Sequence, residues 1–180
     1  LKQRLEGSVS NDTNKTAKGQ TLSERKEALG NSSGVAPSQN QISHLIDYYQ
    51  AGRLEEVEAL ATSLTNRFPR HPFGWKVLGV VFQQTGRFAE SLVPAQSAAK
   101  LSPEDAEAHY NLSITLKELG RLDEAEASLR QAAALMPHFA EAHNTLGATL
   151  HEVGRLDEAE ASYRQAIALK SDYAEAHNNL

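Results

Sequence analysis

Apolar side chains along residues 38–180 recur with the spacing of helices that bury one face. Between His109 and Leu116, for example, the apolar and small residues stand three and four positions apart, so they share one side of a helix. The same pattern returns every 34 residues, and each copy is followed by a glycine, namely Gly52, Gly86, Gly120 or Gly154. A period of this length predicts an array of paired helices joined by turns.

The period divides the chain into four repeats and a partial fifth. With the glycine at position 15, the repeats are 38–71, 72–105, 106–139 and 140–173, and a fifth begins over 174–180. Each repeat predicts a helix A over about positions 1–14 and a helix B over about positions 18–31. Glycine ends helix A because the left-handed backbone at a helix C-terminus strains any residue with a Cβ. Proline at position 32 ends helix B in three repeats, whereas the fourth has Ser171, a weaker stop.

The residues expected to pack the helices together follow from the same numbering. On helix A, positions 4, 7, 8 and 11 share one face, and position 8 is small in the later repeats. On helix B, positions 20, 24 and 27 face them. Pro94 is an exception, because it falls inside the second helix B, where it removes a backbone hydrogen bond. We therefore predict a kink at Pro94 or a late start of that helix.

The second repeat carries the clearest signature. It contains Trp75, Leu78, Gly79 and Phe82 on helix A, followed by Gly86, Ser91, Ala98 and Pro103. This combination resembles the tetratricopeptide repeat (TPR) family, and the array is similar to the repeat arms of bacterial TPR proteins and of O-linked N-acetylglucosamine transferases. The resemblance implies an all-α fold, a right-handed superhelical solenoid of antiparallel helix pairs, with the A helices lining a concave groove.

Residues 1–37 lack the repeating apolar face and are rich in Ser, Asn, Thr, Gly and Lys. Such a segment buries too little to offset its ordering entropy, so we expect a disordered leader. Within it, only the segment that begins at Thr21 has the spacing of a helix start. The leader has no apolar core of a secretory signal, which favours the cytoplasm. No apolar run reaches the roughly 18 to 20 residues that span a membrane.

Charge and composition narrow the class of partner. Residues 1–37 carry six Lys and Arg against four Asp and Glu (+2), and residues 38–180 carry twelve against nineteen (−7), which together give −5. An acidic array without a basic stripe argues against nucleic acid as the partner. The chain has no cysteine, which excludes a thiolate nucleophile and a cysteine-based zinc site.

No motif predicts catalysis, a metal site or a cofactor. His109, His143 and His177 stand 34 residues apart, but equivalent positions of adjacent repeats lie on the order of 10 Å apart, too far to share a zinc ion. We interpret these histidines as packing residues at the repeat junctions. The acidic groups at Asp123 and Asp157 fall in the first turn of helix B, where they complement the helix dipole. We therefore predict no catalytic residue, no metal, no cofactor and no enzyme activity for this chain.

The family resemblance places the binding surface on helix A, at repeat positions 2, 5, 6, 9, 12 and 13. A concave surface that mixes apolar and hydrogen-bonding groups suits an extended peptide or a helix. The candidate peptide-binding residues are Lys76, Val77, Val80, Tyr110, Asn111, Ile114, Lys117, Asn144, Thr145, Ala148 and His151. Of these, Tyr110 and Asn111 are expected to lie outside the packing set.

Two variants of the family differ in their groove residues. Chaperone-binding TPR domains resemble one another in a carboxylate clamp, which this chain matches at Lys76 and Asn111. It departs from the clamp at Val80, Glu141 and Thr145, and Glu141 would repel a carboxylate, so a chaperone-tail ligand is rejected. The asparagine ladder of the transferase arms is matched at Asn111 and Asn179 but not at Val77 and Thr145.

The sequence therefore favours a protein–protein interaction scaffold that holds a peptide or a helix, with no nucleic-acid and no membrane partner. An alternative is the substrate-recognition arm of a larger enzyme, such as a glycosyltransferase, sulfotransferase or methyltransferase. Its catalytic domain would lie beyond residue 180, where the partial fifth repeat leads us to expect more chain. A second alternative is self-association through the uncapped last repeat.

Overall fold

The computed structural model describes residues 36–180, and all regular structure in that range is α-helical. The predicted leader, including the helix start at Thr21, lies outside the described residues except for its last two positions. The helices are α1 (Gln39–Gln50), α2 (Leu54–Arg67), α3 (Pro72–Gln84), α4 (Phe88–Leu101), α5 (Ala106–Glu118), α6 (Leu122–Leu135), α7 (Ala140–Glu152), α8 (Leu156–Leu169) and α9 (Ala174–Asn179). Odd-numbered helices are the predicted A helices and even-numbered ones the B helices, so the expected all-α fold is confirmed.

The turn between helices A and B has the predicted left-handed glycine in every repeat. The φ angles of Gly52, Gly86, Gly120 and Gly154 are 70°, 71°, 70° and 78°. A Cβ on any of them would meet no atom within 4 Å, so glycine is required for its backbone conformation and not for space. The following arginine closes the turn, as when the Arg121 N–H donates to the Leu116 carbonyl at 2.9 Å.

Helix B ends at the same repeat position in all four repeats. Helices α2, α4 and α6 end two residues before a proline, and α8 ends two residues before Ser171. Serine at this position therefore stops the helix at the same point as proline does.

The described chain forms two compact units, whose boundary falls after Gly74. In the first unit, Ser38 caps α1 by accepting from the Gln41 N–H at 3.3 Å, while the Gln41 side chain accepts from the Ser38 N–H at 2.9 Å. Helices α1 and α2 then bury Ile42, Leu45, Val57, Ala61 and Leu64.

The second unit, Trp75–Leu180, contains most of the second repeat, the third and fourth repeats and the partial fifth. The predicted helix B positions are all buried there: Ser91, Ala95, Ala98, Ala125, Leu129, Ala132, Ala159, Tyr163 and Ala166. Small residues at position 8 of helix A let helix B approach. A Cβ on Gly147 would lie 2.6 Å from Cε1 of Tyr163, so that glycine is required by the ring packed against it.

Of the two alternatives predicted for Pro94, the late start of the helix is wrong, and the kink stays a prediction. Helix α4 begins at Phe88, the same repeat position as the other B helices, and continues past Pro94 to Leu101. Pro94 is buried, and its Cβ would be 3.7 Å from a Cβ placed on Gly79. The face of α4 that carries the proline ring therefore packs against Gly79 of α3.

Two sets of buried positions escaped the sequence pattern. Repeat position 3 is small and buried in Gly74, Ala108, Ala142 and Ala176, and position 10 is buried in Val81, Thr115 and Thr149. Threonine at position 10 resembles a surface residue by polarity alone. Its hydroxyl is satisfied inside the fold, however, as in Thr149, which donates to the Thr145 carbonyl at 2.9 Å.

Candidate functional site

Successive A helices of the second unit form one surface, called here the A-helix face. It carries a pocket of about 160 Å³ between α5, α7 and α9. The pocket is lined by Ile114, Lys117, Glu118, Asn144, Thr145, Ala148 and Glu175. Five of these are predicted groove residues, so the structure brings together the part of the predicted site that lies in the third and fourth repeats.

Two predicted groove residues are too buried to contact a ligand. Val77 and Asn144 are each only 2% exposed. Asn144 lines the inner side of the pocket, where its Oδ1 accepts from Nδ2 of Asn179 at 3.3 Å. The asparagine side chains of adjacent repeats therefore bond to each other rather than standing free for a peptide backbone.

Lys76 is also unavailable as a groove cation. Its side chain is 7% exposed, and its Nζ lies 2.7 Å from Oδ2 of Asp105 and 3.2 Å from Oε2 of Glu107. Asp105 is the N-cap of α5, where its Oδ1 accepts from the N–H groups of Glu107 and Ala108. Lys76 thus stabilises the junction between the second and third repeats, which gives a physical reason against the carboxylate clamp in addition to the sequence mismatch.

Tyr110 belongs to the packing set, contrary to the prediction. Its ring lies 4.8 Å from that of Phe139, centroid to centroid, and it packs against the buried clusters around Ala132 and Leu146. The sequence missed this because position 5 of helix A points towards the next repeat as well as towards solvent. A Tyr110→Ala variant would therefore change stability as well as any binding, so it is unsuitable as a probe of the surface.

The other predicted residues are distributed along the same helices. Val80, Asn111, Ile114, Thr145 and Ala148 are half-buried. His151 is exposed, but it lines a different pocket with Tyr163 and Leu156, and so it does not join the residues around Ala148.

The charge of the pocket is negative. Nζ of Lys117 lies 2.5 Å from Oε1 of Glu152, which offsets its charge. Glu118 and Glu175, which were not among the candidate residues, are exposed at the pocket and form no ion pair within residues 36–180. Both occupy repeat positions, 13 and 2, that the family pattern assigns to the groove. They stood out less in the sequence because helix B carries many more carboxylates.

Neighbouring tyrosines respond to this charge. The pKa of Tyr173 is raised to about 12, mainly by burial and next by the negative charge of Glu175. The pKa of Tyr163 is raised by burial and by the carboxylates of Glu152 and Glu175. The region between α7 and α9 therefore disfavours additional negative charge.

The recurring histidines lie at the repeat junctions, as interpreted from the sequence, but they act there through hydrogen bonds, and His177 is exposed. Nε2 of His109 and of His143 each lies 3.0 Å from the carbonyl oxygen of the proline that ends the preceding helix B, and His177 lies 2.9 Å from the Ser171 carbonyl. Because a carbonyl oxygen only accepts, Nε2 carries the hydrogen. No group of three or more His, Asp or Glu side chains suited to a metal ion occurs in the described range.

Most glutamates of the B helices in the described range form ion pairs with arginine. Arg121 pairs with Glu124 at 2.7 Å, and the arginines that follow the other three glycines form the equivalent pair. Glu126 is bonded by both Arg130 and Arg155. Burial would raise the pKa of Glu126, but these two hydrogen bonds hold it below its usual value. These ion pairs join positions within one helix and, through Arg155 and Glu126, positions of adjacent repeats.

None of the helices described between residues 36 and 180 is both long and apolar enough to cross a membrane.

The regular succession of helix pairs at a 34-residue period defines a helical-repeat protein. A family model described as "Tetratricopeptide repeat" matches residues 82–147, and a model described as "TPR repeat" matches residues 149–180. The chain belongs to the tetratricopeptide repeat family. No curated protein sequence matches it.

Solved structures share this fold. A MamA protein from Desulfovibrio magneticus RS-1 is similar with a TM-score of 0.69 and 15% identity, covering 83% of each chain. TTC0263, a thermophilic TPR protein of Thermus thermophilus, has a TM-score of 0.61 and 26% identity over 74% of each chain. The first TPR of Spaghetti (RPAP3), bound to an HSP90 peptide, has a TM-score of 0.59 and 22% identity, covering 61% of this chain and 86% of that one.

Proposed function

We propose that this protein is an interaction scaffold that binds a polypeptide segment on the A-helix face of its second unit. The observation that carries the proposal is the pocket between α5, α7 and α9, where Ile114 and Ala148 provide apolar surface beside the Thr145 hydroxyl. A concave site with apolar walls and a few polar groups is suited to a side chain of an extended ligand. The peptide bound to the structurally similar RPAP3 domain supports this class of partner.

The pocket can be blocked without adding charge. We expect Ala148→Gln to weaken binding of peptides selected from a random display library, because the longer side chain fills the pocket. Ala127→Gln is the matched control, since Ala127 is exposed on helix B of the third repeat. Titration of each labelled peptide by fluorescence anisotropy measures the two affinities, and circular dichroism with urea denaturation checks that Ala148→Gln keeps the fold, because Ala148 also packs against the buried cluster around Leu146. Equal affinity of both variants and the parent for every selected peptide would refute binding at this pocket.

The remaining expectations stay predictions. No contact within residues 36–180 favours the alternative that this chain is the recognition arm of a larger enzyme. The expectation that the chain has no enzyme activity is tested by assay of the whole natural protein. Cytoplasmic location is tested by cell fractionation, and self-association by sedimentation at several protein concentrations.

A further inference from the structure

The two carboxylates at the pocket on the A-helix face cap no helix and form no ion pair within residues 36–180, although Glu175 lies in the first turn of α9, where its charge complements the helix dipole. Other acidic side chains of the second unit, such as Asp105 and Glu126, cap a helix or pair with arginine. Glu118 and Glu175 instead border the pocket and are exposed to solvent. They approach it from two helices, α5 and α9, that are far apart in sequence. A ligand in the pocket therefore contacts carboxylates from two sides.

The positive charge at the pocket is already neutralised. Lys117 lies among the lining residues, but its ammonium group pairs with Glu152 at 2.5 Å. This leaves Glu118 and Glu175 as uncompensated charges at the pocket. The raised pKa of Tyr173, caused first by burial and then by Glu175 and other charged neighbours, agrees with a negative local potential.

The shape and the apolar wall match an aliphatic chain that ends in a cation. A volume of about 160 Å³ is close to that of an engineered cavity of about 150 Å³ that binds benzene, and a lysine side chain has fewer heavy atoms than benzene. Ile114 and Ala148 supply apolar contact for its methylene groups, while the charged end remains near the carboxylates and water. We infer that the pocket accepts a lysine or arginine side chain of the bound polypeptide, so that the partner is a basic segment.

This inference rests on the proposed function and specifies the chemistry of its ligand. The net negative charge of the repeats would then act at the binding surface, because the A-helix face would attract basic segments and repel acidic ones. The strength of that attraction falls as salt screens the exposed charges.

The test is a selection of binders from the random peptide display library on the full chain, followed by affinity measurements. We expect the selected peptides to be enriched in Lys and Arg. Glu118→Gln and Glu175→Gln should each weaken them by about two- to fivefold, which is the range of one partly exposed ion pair. Glu104→Gln is the matched control, because Glu104 is exposed and lies outside the pocket. Replacing the critical Lys of a peptide by norleucine should cause a similar loss.

The outcomes separate the inference from the proposed function. Peptides that lose affinity with Ala148→Gln, but contain no excess of Lys or Arg and bind the two glutamine variants normally, would overturn the basic-ligand inference and leave the pocket as a binding site. A set of peptides that is insensitive to Ala148→Gln would overturn both. Loss of affinity for Glu104→Gln equal to that for Glu175→Gln would show a general charge effect and also overturn the inference.

Discussion

At the scale of single residues, the third and fourth repeats differ where their helices pack most tightly. Position 8 is Ser113 in one and Gly147 in the other, and the facing position 24 is Leu129 or Tyr163. The larger side chain at position 24, Tyr163, faces the smaller residue at position 8, Gly147. Because a Cβ on Gly147 would come within 2.6 Å of Cε1 of Tyr163, the two differences compensate for each other in volume.

We expect Gly147→Ser to lower the free energy of unfolding by about 1–3 kcal/mol, because the added atoms overpack against Tyr163. Addition of Tyr163→Leu should restore much of the loss, since the double variant recreates the pair found in the third repeat. Urea denaturation followed by circular dichroism measures both. Gly79→Ala is the control, because its new Cβ would lie 3.5 Å from the Ala95 nitrogen, in ordinary contact.

The control should gain up to about 1 kcal/mol from the better helix propensity of alanine. If the double variant were destabilised by the sum of the two single changes, the compensation between these positions would be refuted.

At the scale of elements, a directional chain of hydrogen bonds joins three helices of the second and third repeats. The Ser91 hydroxyl of α4 donates to the Gly79 carbonyl of α3 at 3.0 Å. Because its hydrogen goes to that carbonyl, Ser91 accepts from the Thr115 hydroxyl of α5 at 2.9 Å, which is closer to Thr115 than its other acceptor, the Asn111 carbonyl at 3.4 Å. Thr115 in turn accepts from Gln83 of α3 at 2.7 Å. Within the described residues no buried side-chain polar atom lacks a partner, so this junction is polar without leaving a group unsatisfied.

Thr115→Val should therefore lower the free energy of unfolding by about 1–3 kcal/mol, because it removes an acceptor of Gln83 and a donor to Ser91 with little change of shape. Thr149→Val is the matched control at the same position of the next repeat, where the hydroxyl donates to the Thr145 carbonyl of its own helix. Thermal unfolding of both variants measures the difference. Equal destabilisation by the two changes would show that the chain of hydrogen bonds adds nothing beyond the local bond.

For the molecule as a whole, the partly buried Tyr173 makes stability depend on alkaline pH. The pKa of Tyr173 is raised to about 12, first by burial and then by Glu175, whereas an unfolded tyrosine ionises near pH 10. The fold therefore favours the neutral phenol. This contribution is fully present below about pH 10 and is lost as pH rises from about 10 towards 12.

We expect the urea midpoint of the parent protein to fall over that pH range, and the Tyr173→Phe variant to fall less steeply because it cannot ionise. Phenylalanine keeps the ring on which the Lys170 ammonium lies, 4.9 Å from the centroid. Each midpoint is measured relative to the same variant at neutral pH, which removes the effect of the lost hydroxyl. Parallel pH curves for the two proteins would contradict the role of Tyr173.

The sequence by itself determined the helix pairs, because their causes are local and repeated. A left-handed glycine at position 15 and an apolar face at helical spacing operate within a few residues of each other. Four copies in phase make the pattern unambiguous. The nine buried residues of the B helices followed from the same numbering, and so did the candidate residues that meet at the pocket, such as Ile114 and Ala148.

Only the tertiary structure decided which of the groove residues face solvent. Repeat position specifies the direction in which a side chain leaves its own helix, but not what the next repeat places against it. Lys76 pairs with Asp105, Tyr110 stacks on Phe139, and Asn144 bonds with Asn179. Asp105 and Phe139 lie 29 residues along the chain, at the last position of the same repeat, and Asn179 lies 35 residues along, in the next repeat. Such contacts depend on how the repeats stack, which buries Lys76 and Asn144, holds Tyr110 half-buried against Phe139, and leaves Glu118 and Glu175 exposed.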